Sequence, residues 1–203
     1  MSLIIGLTGG IASGKSTVST YLKQNGIPIV DADKIARKVV EPGEDAYKEI
    51  VDTFGEEVIM PDRTLHRKRL GEIVFNDPIA REQLNKIVHP AVRQGMVQEK
   101  NRWLNEGYQT VVLDIPLLFE SNLFHLVDKV LLVYVEEHIQ LSRLMERDQS
   151  TKEAALKRIQ AQMPLKDKME RADAIIYNND TLEKTYEQVD QLISDWKMFA
   201  PSS

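Results

Sequence analysis

The stretch Gly9-Gly10-Ile11-Ala12-Ser13-Gly14-Lys15-Ser16-Thr17 decides how this 203-residue chain is read. Gly9–Ser16 fits the pattern G-x-x-x-x-G-K-[ST] at each fixed position. The short apolar run Leu3–Thr8 precedes it and predicts a buried strand, and Lys15–Gln24 continues after it as a helix. Strand, glycine-rich turn and helix in this order make a phosphate-binding loop. The glycines let successive backbone N–H groups point inward, where they and the positive end of the helix can hold a β-phosphate. Lys15 brings a cation to the β- and γ-phosphates, and Ser16 offers a hydroxyl to Mg²⁺. Gly10, Ile11, Ala12, Ser13, Gly14, Lys15, Ser16 and Thr17 are therefore the candidate contacts for ATP. The motif alone does not separate kinases from GTPases or motors. A GTPase selects guanine with N-K-x-D after a strand, and Asn178-Asn179-Asp180-Thr181 does not match that pattern.

Working outward, similar apolar runs recur at Ile27–Val30, Thr110–Ile115, Lys129–Val135 and Ala174–Tyr177. Helical sequence separates them. Continuous apolar strands alternating with helices predict an α/β fold of three layers, a five-stranded parallel sheet covered on both faces. The gap between the second and third runs is far longer than one crossover helix needs. It opens with Glu41-Pro42-Gly43 and holds helical segments at Pro78–Lys86 and Pro90–Asn105, each starting on a proline suited to a first turn. Residues 37–106 are expected to form an inserted helical lobe. Residues 139–171 carry Arg143, Arg147, Lys152, Lys157, Arg158, Lys166, Lys168 and Arg171 and are expected to form a basic helical lid. The core then comprises 1–36, 107–138 and 172–203. Thr181–Phe199 reads as a closing helix, with Leu182, Tyr186, Val189, Leu192, Ile193 and Trp196 at helical spacing.

Composition narrows the partners. Hydrophobic residues make up 42% of the chain and charged residues 28%, an ordinary globular balance. A net charge of −5 argues against nucleic acid or a membrane surface as partner, which call for a basic face. There is no cysteine, so neither disulfides nor thiolate chemistry occur, in keeping with a reducing compartment. No basic region precedes the first apolar run, and no stretch reaches the length of a membrane span. A cytoplasmic protein is expected, a monomer or a weak homo-oligomer.

Three carboxylates fall at strand ends, where open α/β sheets bind ligands: Asp31, Asp33 and Asp114. Phosphoryl transfer to an alcohol needs one carboxylate to accept the hydroxyl proton and another acid near magnesium. Asp33 or Asp31 suits the first role and Asp114 the second. Aspartate also favours turns and helix caps, which is a strong competing reading for Asp31. Arg143 and Arg147 lie one turn apart on one helix face, where a closing lid could bring them to the transferring phosphate. Asp148 is placed to orient Arg147. His89 stands before Pro90 at the expected head of a helix, where capping or packing is the plainer role. Four scattered histidines and no cysteine give no expected transition-metal site.

At this level of detail the chain resembles the dephospho-CoA kinases over essentially its whole length. The likeness rests on Gly6–Thr17, Val30-Asp31-Ala32-Asp33, Ala36-Arg37 and Val40-Glu41-Pro42-Gly43. It continues through Arg67 with Leu70–Phe75, His89-Pro90 and Asp114-Ile115-Pro116-Leu117-Leu118-Phe119-Glu120. It ends with Arg143, Arg147-Asp148, Arg158 with Gln162, and Ala172–Ile176. The resemblance implies transfer of the ATP γ-phosphate to the ribose 3′-hydroxyl of dephospho-CoA, the last step of coenzyme A synthesis. It also implies the architecture of the nucleoside-monophosphate kinases. Asp33 then becomes the base, with Lys15 and Arg147 serving the transferred phosphate. Asp33, Arg37, Arg67, His89 and Leu117, Leu118, Phe119 and Glu120 line the dephospho-CoA site. Asp31 or Glu120 could share the base or metal role. Arg143 and Asn178 fall near the nucleotide. The loop near adenine is often N-x-G in such enzymes, whereas this chain has Asn178-Asn179-Asp180.

Overall fold

A computed structural model describes residues 2–198. Five strands form one sheet: β1 (Leu3–Gly9), β2 (Ile29–Asp31), β3 (Thr110–Asp114), β4 (Lys129–Tyr134) and β5 (Ala174–Tyr177), in the order β2-β3-β1-β4-β5. β1 pairs in parallel with β3, Leu3 facing Thr110 through Leu7 facing Asp114. On its other side β1 pairs in parallel with β4, and β4 with β5. β3 is buried at every residue and β1 at all but its first. That is why these strands read as unbroken apolar runs rather than as alternation.

Two aspartates fasten the strand starts. Asp128 accepts from the Ile4 N–H at 2.7 Å, and Asp173 from the Val130 N–H at 2.7 Å. The helix α1 (Lys15–Gln24) covers the sheet with Val18 and Leu22, both fully buried. The closing helix α9 (Leu182–Asp195) packs beside it, adding Val189 and Leu192 to a cluster with Ile5, Leu7, Val112, Leu131 and Val133. Thr181 caps α9 and Leu182 is exposed, so the apolar stripe starts one turn later than the spacing predicts. Phe199, the expected last residue of this helix, lies outside the described residues.

The chain divides into two compact units. One runs up to Val30 and resumes at Lys100; the other is Asp31–Glu99. The first also holds α6 (Glu137–Asp148), α7 (Lys152–Gln160) and α8 (Leu165–Met169). Leu165 anchors α8 against Leu132 and Val135 of the sheet region. The second unit opens with α2 (Ala32–Lys38), α3 (Asp45–Phe54) and α4 (Arg67–Asn76). Its own core gathers Val40, Ala46, Ile50, Val58, Leu65 and Leu70.

One expectation fails here. Pro78–Lys86 and Pro90–Asn105 are not separate helices but one, α5 (Pro78–Asn105), with Pro90 in its interior. His89 therefore sits mid-helix and exposed rather than at a helix head. Pro90 removes one N–H bond and crowds the carbonyl four residues back, a cost of about 3 kcal/mol. Leu84, Ile87, Val88 and Ala91 offset it, because all four lie on the same cluster and hold the helix on both sides of the proline. Pro90→Ala is expected to raise the unfolding free energy by about 1–2 kcal/mol, the regained helix bond being partly offset by a more flexible unfolded chain. Urea denaturation of the two proteins measures it, and a destabilised variant would show that α5 needs its proline.

Candidate active site

The phosphate-binding loop leaves the carboxyl end of β1 and is shaped by contacts that glycine permits. Gly14 is left-handed, with φ at 84°, and directly precedes α1. A side chain there would be strained by its backbone and would collide with the Asn178 amide. Ser13 N–H donates to the Gly10 carbonyl at 3.1 Å and Thr17 N–H to the Gly14 carbonyl at 3.0 Å. No side chain caps the leading N–H groups of α1. Those groups have no acceptor within their own helix and form a positive, anion-seeking end.

Asn178 is buried and fully engaged. Its Nδ2 donates to the Ser13 carbonyl at 2.9 Å, and its Oδ1 accepts from Thr185 Oγ1 at 2.9 Å. Its N–H donates to the Tyr134 carbonyl at 2.8 Å, and its own carbonyl accepts from Arg143 at 2.9 Å. Arg143 thus approaches the loop through Asn178. Asn178, expected near the nucleotide, lies against Ser13 and Gly14 and holds the loop through the Ser13 carbonyl. Thr185, fully buried on α9, completes that support and has no local motif to reveal it.

Lys15 forms an ion pair with Asp114, whose carboxylate closes β3. Asp114 is only 6% exposed, so the pair is well screened from water. Ser16 is exposed at the start of α1. Ser13 Oγ is buried without a hydrogen-bond partner among the described residues. Hard oxygen donors at Ser16 and Asp114 suit magnesium in kind. Among the described residues no group of three histidine, aspartate or glutamate side chains gathers to hold a metal.

After β3 the chain turns through Leu117–Glu120. Leu118 is fully buried and Phe119 nearly so, while Leu117 is 41% exposed. Arg171 stacks over Phe119 and Phe124, 5.2 and 4.6 Å from their centres. Glu120 accepts from the Met163 N–H at 3.1 Å and pairs with Lys168 at 2.9 Å.

At the end of α6 Arg147 grips Asp148 through two bonds, of 2.8 and 3.1 Å, and Arg158 of α7 joins the same carboxylate. The bond from Arg147, then that from Arg158, holds the Asp148 carboxyl below its usual range; the same bond raises Arg147.

In the second unit, Asp31 closes β2 and caps α2, accepting from the Lys34 N–H at 3.0 Å. Asp33 stands exposed in the first turn of α2, with Arg37 one turn on, also exposed. Arg67 begins α4 and is exposed.

Known proteins similar to this chain include several dephospho-CoA kinases. The family model described as dephospho-CoA kinase matches residues 3–184. A dephospho-CoA kinase of Shouchella clausii is 62% identical over 185 residues, covering 91% of this chain and 94% of its own. One of Geobacillus kaustophilus is 56% identical over 196 residues, covering 97% and 98%. Among solved structures, dephospho-CoA kinase from Campylobacter jejuni superposes with a TM-score of 0.75 at 29% identity, covering 97% and 98%.

Two outcomes follow from this geometry. Gly14→Ala should fold yet lose on the order of tenfold or more in ATP affinity by calorimetry, since a hydrogen-bonded loop must shift to admit the methyl. Unchanged affinity would mean the loop adapts freely. Asp148 contributes stability above its unfolded pKa, near 4, and loses it as pH falls through its lower folded value. The gap in unfolding temperature between the parent and Asp148→Asn should therefore be full near neutral pH and shrink below about pH 4. A gap that is unaltered in acid would remove the carboxylate's charge as the cause.

Proposed function

This chain belongs to the dephospho-CoA kinase family, and on that premise we propose how its residues divide the work. The family's reaction moves the γ-phosphate of ATP to the ribose 3′-hydroxyl of dephospho-CoA, giving CoA and ADP. One observation carries the assignment of the donor half. α1 opens from a left-handed glycine with its leading N–H groups uncapped and Lys15 at its head. Backbone groups of Gly10–Thr17 hold the phosphates, and Lys15 leaves Asp114 for the β- and γ-oxygens.

Asp33 is the base. Its carboxylate takes the 3′-hydroxyl proton as the oxygen attacks phosphorus and the bond to the ADP oxygen breaks. Asp31 is the poorer base because it is committed to capping α2 and pairs with Lys34 at 3.5 Å. Arg147 meets charge on the transferring phosphate, its guanidinium oriented by Asp148. Arg143 and Asn178 serve the nucleotide by setting Ser13 and Gly14. Magnesium, when bound, would be held by Ser16 and Asp114 and would neutralise phosphate charge. Arg37, Arg67 and His89 of the lobe 37–106 serve dephospho-CoA, and Leu117, Leu118, Phe119 and Glu120 serve the same substrate. The segment 139–171 forms the lid. No helix among the described residues is long and apolar enough to cross a membrane. A cytoplasmic enzyme, monomeric or weakly self-associating, fits that reading.

ADP release is measured with ATP and a panel of acceptors. Dephospho-CoA is expected to be the acceptor used, and turnover of another acceptor in its place would overturn the substrate. Asp33→Asn should lower turnover by about 10²–10⁴ while ATP affinity stays near the parent's. Near-parental turnover would remove Asp33 as base.

A further inference from the structure

Lys168 is wholly buried, yet it carries a charge and lies outside the motifs that define the site. Its Nζ donates to the carbonyl of Gly9 at 3.2 Å and pairs with Glu120 at 2.9 Å. The face of the Phe119 ring is 5.8 Å away. A buried ammonium is costly unless its donors are met, and an apolar residue of similar volume would give equal or greater stability. What an apolar residue cannot do is pull on a carbonyl.

Two more side chains from the same part of the chain grip the next residues of the loop. Gln162 Oε1 accepts from the Ile11 N–H at 2.8 Å, and Gln140 Nε2 donates to the Ile11 carbonyl at 2.8 Å. Each peptide unit is planar and trans, so its carbonyl and its N–H point opposite ways. Lys168 therefore fixes the plane between Gly9 and Gly10, Gln162 the plane between Gly10 and Ile11, and Gln140 the plane between Ile11 and Ala12. Three consecutive peptide planes of the phosphate loop are held from outside it. The approach is close enough that a Cβ on Gly10 would lie 2.7 Å from Gln140 Nε2 and 3.2 Å from Leu165.

The holding groups are themselves anchored. Leu165, three residues before Lys168, is buried against Leu132 and Val135. Glu120 ties Lys168 to the Met163 N–H, beside Gln162. The result is a closed circuit of bonds through Gly9, Lys168, Glu120, Met163, Gln162 and Ile11.

We propose that Lys168, with Gln162 and Gln140, is a positioning residue that moulds the phosphate loop into its nucleotide-holding shape. This rests on the reading of Gly9–Thr17 as the ATP site. ATP affinity is measured by calorimetry on the full chain, first for the parent. Failure of the parent to bind ATP would undo that underlying reading rather than this one. Lys168→Met is expected to lose on the order of tenfold in ATP affinity at a temperature well below its unfolding midpoint. Lys168→Arg, which keeps a charged donor, should recover most of the loss. Gln162→Ala tests the second plane at a half-buried site and should weaken ATP similarly, even where Lys168→Met does not fold. Parental ATP affinity in Gln162→Ala and in any folded Lys168→Met would overturn the proposal. So would a loss in Lys168→Met that Lys168→Arg fails to reverse.

Discussion

The pairing of β1 on both flanks is the constraint on which the rest depends. With β3 on one side and β4 on the other, its backbone is spent on the sheet and its direction is fixed. The chain leaves that ladder at Gly9 and enters α1 at Lys15. Few conformations connect those two points, and a left-handed Gly14 is part of the one adopted. The helix end is thereby aimed by the sheet, not by the loop's own preferences. Asp114 lies at the end of the neighbouring strand because Leu7 and Asp114 are in register, which brings its carboxylate within reach of Lys15.

How legible this was in the sequence depends on the range of the interaction. β5 and α1 are legible to the residue, β5 because its apolar run ends abruptly at Asn178 and α1 because the glycine-rich loop before it and Asn25-Gly26 after it mark its ends. The second strand is not: the run Ile27–Val30 is predicted, but β2 is Ile29–Asp31. Ile27 keeps its place in the core without pairing, and Pro28, which lacks an N–H, contributes only its carbonyl, to Val112. The break expected before Pro90 fails for the converse reason. Proline is a strong local signal, but four apolar neighbours on one cluster outweigh it. The donor loop was readable because its residues are contiguous. Its supports were not, since Gln140, Gln162 and Lys168 are 129, 151 and 159 residues from the loop atoms they hold. No spacing rule connects positions that far apart. Lysine in a basic segment reads as solvated surface, and only burial reveals Lys168 as something else.

The ion pairs explain how a chain with a net charge of −5 can serve a polyanion. Each cation near the proposed donor site already has an anionic or carbonyl partner: Lys15 has Asp114, Arg147 has Asp148, and Arg143 has the Asn178 carbonyl. Taking up a nucleotide is then an exchange of partners rather than capture by bare charge. The gain is the difference between two electrostatic arrangements, smaller than the direct attraction but selective for a ligand that reaches all of them at once. The N–H groups at the head of α1 have no side-chain cap to give up and so add an attraction that needs no exchange. Their value depends on direction, because a dipole turned aside attracts nothing. A loop fixed plane by plane from behind is what that dependence requires, and it accounts for spending a buried lysine on a backbone carbonyl.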